Sequence, residues 1–335
     1  MSRVPSDVPQ VAVLLATHDG ARWLPPQLES IAGQSGVRVA VVASDDASVD
    51  GSSEILASFF ASHPVGCLLP GRGPFGSSTG NFLRLFRDAD LGDAEFVALA
   101  DQDDVWDPMK LAHAVEALRA HGCDGFSSSV TTWLTDGARR LLDKAQPQRR
   151  FDHLFESPGP GCTFVLTREL ADRFRAFALE TAPEIDRFSH HDWLIYAFAR
   201  STGHRWHIDP MPRMLYRQHV RNEVGANMGL TAFRRRFARV RSGWYADQIA
   251  LLCGLLRRAR GAALGDVDEV ERWLASRPQL GGRLTFVREV CRQARRRLRD
   301  RNFLIVLALS GAFWGGRAPG AAAAAGTEGR SSHGR

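Results

Sequence analysis

The sequence of 335 residues contains few cysteines, and their arrangement excludes two kinds of site. The five cysteines are odd in number and widely scattered, and no two of them form a Cys-x-x-Cys pair. We therefore expect neither a disulfide framework nor a structural zinc site. Free thiols that are buried in the core of a protein in a reducing compartment are the expectation.

Long apolar runs, a secretory leader and nucleic-acid-binding motifs are also lacking. No run of 18 apolar residues occurs, so a membrane-spanning helix is not expected. The first ten residues, MSRVPSDVPQ, contain no apolar core of a signal peptide, which predicts no secretory signal. The pI of about 9.5 invites a nucleic-acid interpretation, but neither zinc-finger spacing nor interleaved aromatic and basic residues support it.

The positive charge is concentrated in the second half of the chain. The net charge is +6, acidic clusters fall mostly within 1–130, and arginines crowd into 234–241, 257–260 and 283–301. This asymmetry is typical of a catalytic domain followed by a basic extension that contacts anionic lipid.

Short apolar runs alternate with helical patterns in the first 120 residues. Runs and predicted helices lie at 11–16, 23–31, 37–43, 52–62, 96–100 and 108–120. This order predicts an α/β, Rossmann-like fold with a mostly parallel central sheet and flanking helices. Each polar loop follows the carboxyl end of a strand, where open α/β sheets bind ligands.

The rest of the chain divides by composition. The Gly- and Ser-rich stretch at 71–80 is interpreted as a loop near the active site, because helical periodicity resumes directly after it. We predict a catalytic domain at 1–228, a basic α-helical extension at 229–316, and a disordered low-complexity tail at 317–335.

Three carboxylates follow the third predicted strand, and they are the strongest chemical signal. In an extended segment Asp101 and Asp103 point the same way, since side chains alternate with period two. Two carboxylates on one side of a loop suit Mg²⁺ or Mn²⁺, with substrate phosphates completing the shell. The alternative is a solvated acidic turn that caps the helix at Pro108.

Four segments together resemble glycosyltransferase family 2, which has the GT-A fold. DQDDVWDPMKL is similar to the family's aspartate-rich metal motif. The first strand and helix, the turn VVASDDASVDGS and the segment SHHDWLIYAFA agree in type and order. The resemblance covers roughly 9–225. Within the family, GSSTGNFLRLF and YRQHVRNEVGA are most similar to rhamnosyltransferases and their relatives.

The resemblance implies an inverting, metal-dependent enzyme with a nucleotide-diphosphate sugar as donor. The sugar would be transferred, with L-rhamnose as one candidate, to a hydroxyl of a glycan or lipid-linked acceptor in cell-surface polysaccharide synthesis. The expected location is the cytoplasm, with the inner face of the cell membrane as the surface for the extension. A nucleotidyltransferase and a non-catalytic nucleotide- or membrane-binding protein remain as alternatives.

The resemblance also assigns the donor residues. Asp46 would accept a hydrogen bond from a pyrimidine N–H, with Asp45 as the second candidate and a turn or N-cap role as the alternative. Thr17 would line the base pocket. Asp101 would face the ribose and the metal, and Asp103 would ligate the metal. 

Other residues near the cluster are assigned supporting roles. Asp104 would orient the ligands from behind or cap the next helix, and Trp106 is expected to pack in the core. His219 would complete the metal shell, and Arg217 or Arg221 would contact the diphosphate, unless this is an ordinary charged surface loop.

Asp192 is the candidate general base, because attack by an acceptor hydroxyl needs a group that removes its proton. Its alternative role is the N-cap of the following helix, and His191 is the second candidate base. Gly161 and Cys162 lie where the family's acceptor loop begins.

The C-terminal segment RRRLRDR, followed by NFLIVLALSGAFW, combines basic and apolar residues. About eleven apolar residues are too few to span a bilayer of ~30 Å, but they suit an interfacial anchor at anionic lipid. A helix packed on the catalytic domain is the alternative.

Overall fold

The computed structural model describes residues 8–218, 242–276 and 279–314. Strands in these ranges are β1 Gln10–Thr17, β2 Arg38–Asp45, β3 Gly66–Leu68, β4 Phe96–Asp101, β5 Val105–Trp106, β6 Gly125–Ser128, β7 Val130–Trp133, β8 Arg139–Leu142, β9 Val165–Thr167, β10 Trp206–Asp209 and β11 Met214–Arg217. Helices of the first range are α1 Leu24–Ala32, α2 Ser52–Ser62, α3 Ser78–Asp88, α4 Lys110–His121, α5 Asp152–Phe155, α6 Arg168–Glu180 and α7 His191–Ser201. The later helices are α8 Trp244–Leu256, α9 Gly265–Ser276, α10 Leu280–Phe286, α11 Arg292–Ala294 and α12 Leu298–Ser310.

The apolar strand β1 lies inside the main sheet, and its alternation divides the core into two layers. Val11, Val13 and Leu15 face the layer that contains α1, α2 and α4. Ala12 and Leu14 face the opposite layer, with α3, α6, α7 and the C-terminal helices. Both faces of the strand are buried, which explains why its sequence is apolar throughout rather than alternating.

The main sheet has seven strands in the order β10-β6-β9-β4-β1-β2-β3. All pairs are parallel except those of β9, which runs antiparallel to β4 and β6. The predicted α/β fold with a mostly parallel sheet is confirmed. Because β9 is reversed, it begins beside the carboxyl end of β4. The 3-10 turn that precedes it, Gly161–Thr163, therefore lies at the ligand-binding edge.

A second sheet, which the sequence did not predict, has the order β5-β11-β7-β8. Its short strands lack the apolar runs that marked the main sheet. Met214 pairs with Trp106 and Leu215 with Val105, so β11 fastens the chain directly after the aspartate cluster. Trp106 is buried, as expected for a packing residue.

The C-terminal helices pack on the main sheet through large side chains. Phe286, Val290, Leu304 and Phe313 are buried in the same apolar cluster as α3, α6 and α7. This matches the packed-helix alternative for the segment. Among the described residues, no helix combines the length and apolar character that crossing a bilayer requires.

Candidate active site

Three parallel strands end side by side and bring their last residues together. Thr17 of β1 pairs with Asp45 of β2, and Ala16 of β1 pairs with Asp101 of β4. The register therefore places Thr17, Asp45 and Asp101 at one edge of the sheet. This is the edge where the sequence predicted the ligand.

Asp45 anchors the turn after β2 rather than facing a ligand. Its carboxylate accepts hydrogen bonds from Thr17 Oγ1 (2.8 Å), from the backbone N–H and hydroxyl of Ser48 (3.0 and 2.6 Å), and from Ser53 Oγ (2.8 Å). Burial raises the pKa of Asp45, but the bonds from Ser48, Ser53 and Thr17 outweigh it and hold the pKa below its usual value. The Thr17 hydroxyl is accordingly committed to this turn.

Asp46 holds the Gly-rich loop against the same edge. Its backbone N–H donates to the Thr17 carbonyl oxygen (2.9 Å), and its carboxylate accepts from the backbone N–H groups of Phe75 and Gly76 (3.1 Å for Gly76). A Cβ on Gly73, whose φ is +121°, would lie 2.6 Å from Asp46 Oδ1. A side chain at 73 would therefore clash, and glycine allows the loop to close on Asp46. The loop lies at the ligand edge, where the sequence placed it.

The three aspartates of the cluster differ in how far their side chains are exposed to solvent. Asp101 is half-buried, Asp103 is 7% exposed and Asp104 is fully buried. Ligand atoms of Asp101, Asp104 and Cys162 all lie within 4.8 Å of one another. The structure thus groups Asp101 with Asp104 as well as placing Asp103 beside them. Sequence spacing alone had paired Asp101 with Asp103.

The electrostatics of this cluster favour a bound cation. Oδ2 of Asp104 is buried and has no hydrogen-bond partner in the described part of the chain. Burial, with the charges of Asp103 and Asp101, raises the pKa of Asp104 well above its usual value. A divalent cation would relieve this repulsion and satisfy the buried oxygen. The residues present therefore fit a Mg²⁺ or Mn²⁺ ion, with Cys162 as an additional, softer neighbour.

A buried lysine lies behind the carboxylates. Nζ of Lys110 is 3.5 Å from the centre of the Trp106 ring, and burial lowers the pKa of Lys110 to about 8. The charges of Cys162 and Asp104 act on it in the opposite sense. Lys110 is thus a cation held behind the metal motif by an aromatic face. No feature of the sequence indicated this role, because Lys110 resembles an ordinary residue in the first turn of a helix.

Arg217 braces the aspartate loop from the other side. Its guanidinium lies 4.7 Å from the Trp23 ring centre and 4.2 Å from that of Trp133. Its Nε donates to the Asp103 carbonyl oxygen (3.0 Å), and its backbone N–H to Asp104 Oδ1 (3.3 Å). The sequence offered Arg217 or Arg221 for phosphate contact, and in the structure Arg217 contacts the aspartate loop. His219 and Arg221 lie outside the described residues.

Asp192 lies in the first turn of α7, and His190 is the N-cap. Asp192 Oδ1 accepts a hydrogen bond from the backbone N–H of Trp193 (2.7 Å), and the side chain is half-exposed. The suggested N-cap role is therefore not what the helix uses. His191, the second candidate base, is buried with its ring 4.1 Å from that of Phe82, so it is poorly placed to meet an acceptor.

A short turn connects Asp192 with the aspartate cluster. A Cβ on Gly161 would lie 2.4 Å from Nε2 of His191, so only glycine lets this turn approach α7. The next residue, Cys162, reaches the carboxylates of Asp101 and Asp104. The turn thus contacts the first residue of α7, which precedes Asp192 in the chain, and the predicted metal motif. 

Comparison with known proteins agrees with this geometry. A sequence profile described as Glycosyl transferase family 2 matches residues 12–179. The chain is 37% identical over 243 residues to the dTDP-rhamnosyl transferase RfbG of Shigella flexneri, covering 72% of this chain and 84% of the relative.

Two solved structures share the fold at low sequence identity. S. aureus TarS 1-349 in complex with UDP-GlcNAc superposes with a TM-score of 0.56 at 12% identity, covering 91% of this chain and 88% of that one. The complex of the same protein with UDP gives 0.51 at 14% identity, covering 90% and 80%. Together, the profile, the relative and the sheet with its carboxylate edge show that the chain belongs to glycosyltransferase family 2 and has the GT-A fold.

Proposed function

We propose that the protein transfers a sugar, with L-rhamnose as the first candidate, from a nucleotide-diphosphate sugar to a hydroxyl of a glycan or lipid-linked acceptor. The observation that carries the proposal is the turn at Gly161 and Cys162, which contacts His191, the chain neighbour of Asp192, on one side and Asp101 and Asp104 on the other. The name of the Shigella relative, a dTDP-rhamnosyl transferase, supports the choice of sugar. The reaction would belong to the synthesis of cell-surface polysaccharide. Family membership favours it over the nucleotidyltransferase alternative.

The donor nucleotide would bind at the ends of β1 and β2. Asp46 would meet the pyrimidine, and the loop that it holds through Phe75 and Gly76 would cover it. Both carboxylate oxygens of Asp46 accept hydrogen bonds from this loop. Binding of the pyrimidine to Asp46 would therefore require that one of these hydrogen bonds breaks. Thr17 would act indirectly, through the turn that its hydroxyl stabilises.

The diphosphate would lie over the aspartate cluster. Asp101 and Asp103 would hold Mg²⁺ or Mn²⁺ with Asp104 behind them, and His219 would be a further ligand. Such an ion acts as a Lewis acid that neutralises charge on the departing diphosphate. Arg217 would keep the loop in place through its bond to Asp103.

Asp192 would remove the proton from the acceptor hydroxyl as that oxygen attacks the anomeric carbon. Asp192 lies in the first turn of α7. Attack from the side opposite the diphosphate would invert the configuration.

The C-terminal helices would rest on an anionic membrane surface. Leu280 and Leu284, one turn apart on α10, are 64% and 55% exposed. Arg288, whose side chain is 71% exposed, follows them. Exposed leucines beside an exposed arginine suit the boundary of acyl chains and anionic headgroups. Such contact would place the enzyme at the inner face of the cell membrane, near a lipid-linked acceptor.

A donor panel tests the proposal. Radiolabelled dTDP-rhamnose, UDP-GlcNAc and GDP-mannose are incubated with the protein and Mn²⁺, and release of free sugar and transfer to a lipid-linked acceptor are measured. We expect turnover of dTDP-rhamnose above the other donors. Absence of turnover with every donor, while the protein remains folded, would refute the glycosyltransferase assignment of this site. Preference for another donor would refute rhamnose alone.

A further inference from the structure

Three cations from distant parts of the chain lie close together. Lys144 follows the hairpin strand β8, and Arg296 and Arg297 precede α12. The charges of Arg297, Arg296, Glu156 and Asp192 all act on the ammonium group of Lys144. Segments about 150 residues apart in sequence therefore converge beside the proposed base; the Arg297–Gln146 bond alone joins positions 151 apart.

The two arginines are held in fixed positions. Arg296 is 5% exposed; its backbone N–H donates to Glu156 Oε1 (2.7 Å) and its Nη2 to the Ser157 carbonyl oxygen (2.6 Å). Its Nη1 is buried and has no hydrogen-bond partner within the residues that the structure describes. Nε of Arg297 donates to Gln146 Oε1 (3.2 Å). 

The nearby acidic residues are already matched by arginines. Asp152 lies 3.1 Å from Arg200 and 3.9 Å from Arg296. Glu156 lies 3.3 Å from Arg295 and 3.4 Å from Arg296. Arg200, Arg295 and Arg296 are therefore three positive charges that pair with two carboxylates. This leaves an excess of positive charge, to which further cations add.

Lys144 and Arg297 add to that excess. In residues 8–218, 242–276 and 279–314, neither side chain has a carboxylate at ion-pair distance. Burial lowers the pKa of Lys144 to about 8, and the charges of Arg297 and Arg296 act in the same direction. Cations brought together in a partly buried place are costly unless an anion joins them.

We propose that Lys144, Arg296 and Arg297 bind an anionic group of the acceptor, a phosphate or a diphosphate, beside Asp192. This rests on the proposed function, because Asp192 is what places the acceptor hydroxyl there. The planar guanidinium of Arg296 offers the unpartnered Nη1 donor, and Lys144 supplies a further positive charge.

The position of this group limits which acceptors fit. The charge of Asp192 acts on the ammonium group of Lys144. The anion would therefore lie near the hydroxyl that is glycosylated. The enzyme would add its sugar close to a phosphorylated end of the acceptor, and not at the far end of a long neutral glycan.

Calorimetric titration in EDTA tests the site without metal-mediated binding at the aspartate cluster. The probes are octyl diphosphate, octanol and vesicles that contain phosphatidylglycerol. The variants are Lys144→Met and Arg297→Gln. The matched control is Arg299→Gln, two positions further along, whose side chain is 79% exposed. Wild-type turnover of the donor with Mn²⁺ is measured separately, so that failure of the proposed function is seen independently.

We expect the wild type to bind octyl diphosphate and not octanol. Each of Lys144→Met and Arg297→Gln should weaken binding by about tenfold or more, as loss of a charge-assisted hydrogen bond predicts, and Arg299→Gln should match the wild type. Equal binding of octyl diphosphate by both variants and the wild type would overturn the proposal. So would binding of octanol as tight as octyl diphosphate, or loss of vesicle binding alone, which would indicate a lipid surface instead of an acceptor site.

Discussion

Nε of Arg217 donates a 3.0 Å hydrogen bond to the carbonyl oxygen of Asp103, while Trp23 and Trp133 lie over its guanidinium. The contact joins the end of β11 to the aspartate loop. Because the arginine is fixed by two rings, the backbone of Asp103 is held in one position before any ligand arrives. Preorganisation of this kind lowers the cost of binding a metal and a diphosphate.

Arg217→Lys tests this brace. Lysine keeps the charge but lacks the planar group that stacks between two indoles. We expect the Mn²⁺ concentration for half-maximal turnover to rise roughly 10–100-fold, the equivalent of about 1.5–3 kcal/mol for a hydrogen bond from a charged group. Arg213→Lys, at an arginine 3.4 Å from Asp107, is the control and should behave as the wild type. An unchanged Mn²⁺ concentration for half-maximal turnover in Arg217→Lys would show that the aspartate loop keeps its conformation without Arg217.

Removal of metal is the second prediction. EDTA should abolish transfer, and Mg²⁺ or Mn²⁺ should restore it. Asp101→Asn and Asp103→Asn should each weaken Mn²⁺ binding, measured by electron paramagnetic resonance, and slow turnover, because a carboxylate ligand is lost. Asp107→Asn, at a partly exposed position in the next turn, is the control. Full activity in excess EDTA would remove the ion from the reaction.

Asp192→Asn separates chemistry from donor binding. The amide cannot accept the acceptor proton, so transfer should slow roughly 10²–10⁴-fold, the usual contribution of a general base. Affinity for the nucleotide diphosphate should stay near that of the wild type. Asp186→Asn, at a surface ion pair with Arg87, is the control and should transfer normally. If Asp192→Asn transfers at a near-normal rate, the base must be sought elsewhere, with His191 next.

Because His153 is buried, we expect the stability of the folded protein to depend on pH. Its side chain is buried, Nδ1 has no hydrogen-bond partner in the described ranges, and burial lowers its pKa to about 3. In the unfolded chain the pKa is about 6.5, so between these values the unfolded state binds the additional proton. Stability should therefore fall as pH drops below about 6.5, by up to about 1.4 kcal/mol per pH unit from this group.

Urea unfolding at a series of pH values measures this effect. His153→Gln has no group that titrates there, so its slope below about pH 6.5 should be shallower than that of the wild type. His121→Gln, at an exposed position, is the matched control. Identical slopes for wild type and His153→Gln would mean that His153 is protonated in the folded protein.

Membrane contact is tested by flotation with vesicles that contain phosphatidylglycerol. The double variant Leu280→Ser/Leu284→Ser removes two exposed apolar side chains from α10 and should reduce flotation at low salt. Leu141→Ser, at a leucine that is 62% exposed on β8, is the control and should float as the wild type does. High salt should weaken the wild-type interaction as well. A wild type that ignores vesicles would refute the membrane surface.

The central strands could be predicted because each is marked by a run of consecutive apolar residues in the sequence. The runs at 11–16 and 96–100 are apolar throughout, as strands buried on both faces must be, and they correspond to β1 and β4. The helix predicted at 52–62 is α2, Ser52–Ser62. The positions of Asp46, directly after β2, and of Asp101, at the end of β4, followed from strand order, whereas the role of Asp192 stays a prediction from motif resemblance. 

What the sequence could not show depends on distant partners. β11 has four residues and no apolar run, so its pairing with β5 and the role of Arg217 appear only in three dimensions. Lys144 and Arg296 were likewise indistinguishable from surface cations. The sequence analysis interprets the basic segment that contains 295–297 as a face for lipid, but Arg295 and Arg296 form ion pairs with Glu156 inside the protein.

The ion pairs of Glu156 have a consequence for how the protein is made. Arg295 and Arg296 follow Glu156 by 139 and 140 positions. At about 5–20 residues per second, a ribosome needs on the order of ten seconds to add that length of chain. During this interval the nascent sheet carries a carboxylate without its partners and an apolar layer without Phe286 and Phe313. A message truncated before the codon of Phe286 would therefore yield a chain that holds every predicted catalytic aspartate and still exposes its core to chaperones and proteases.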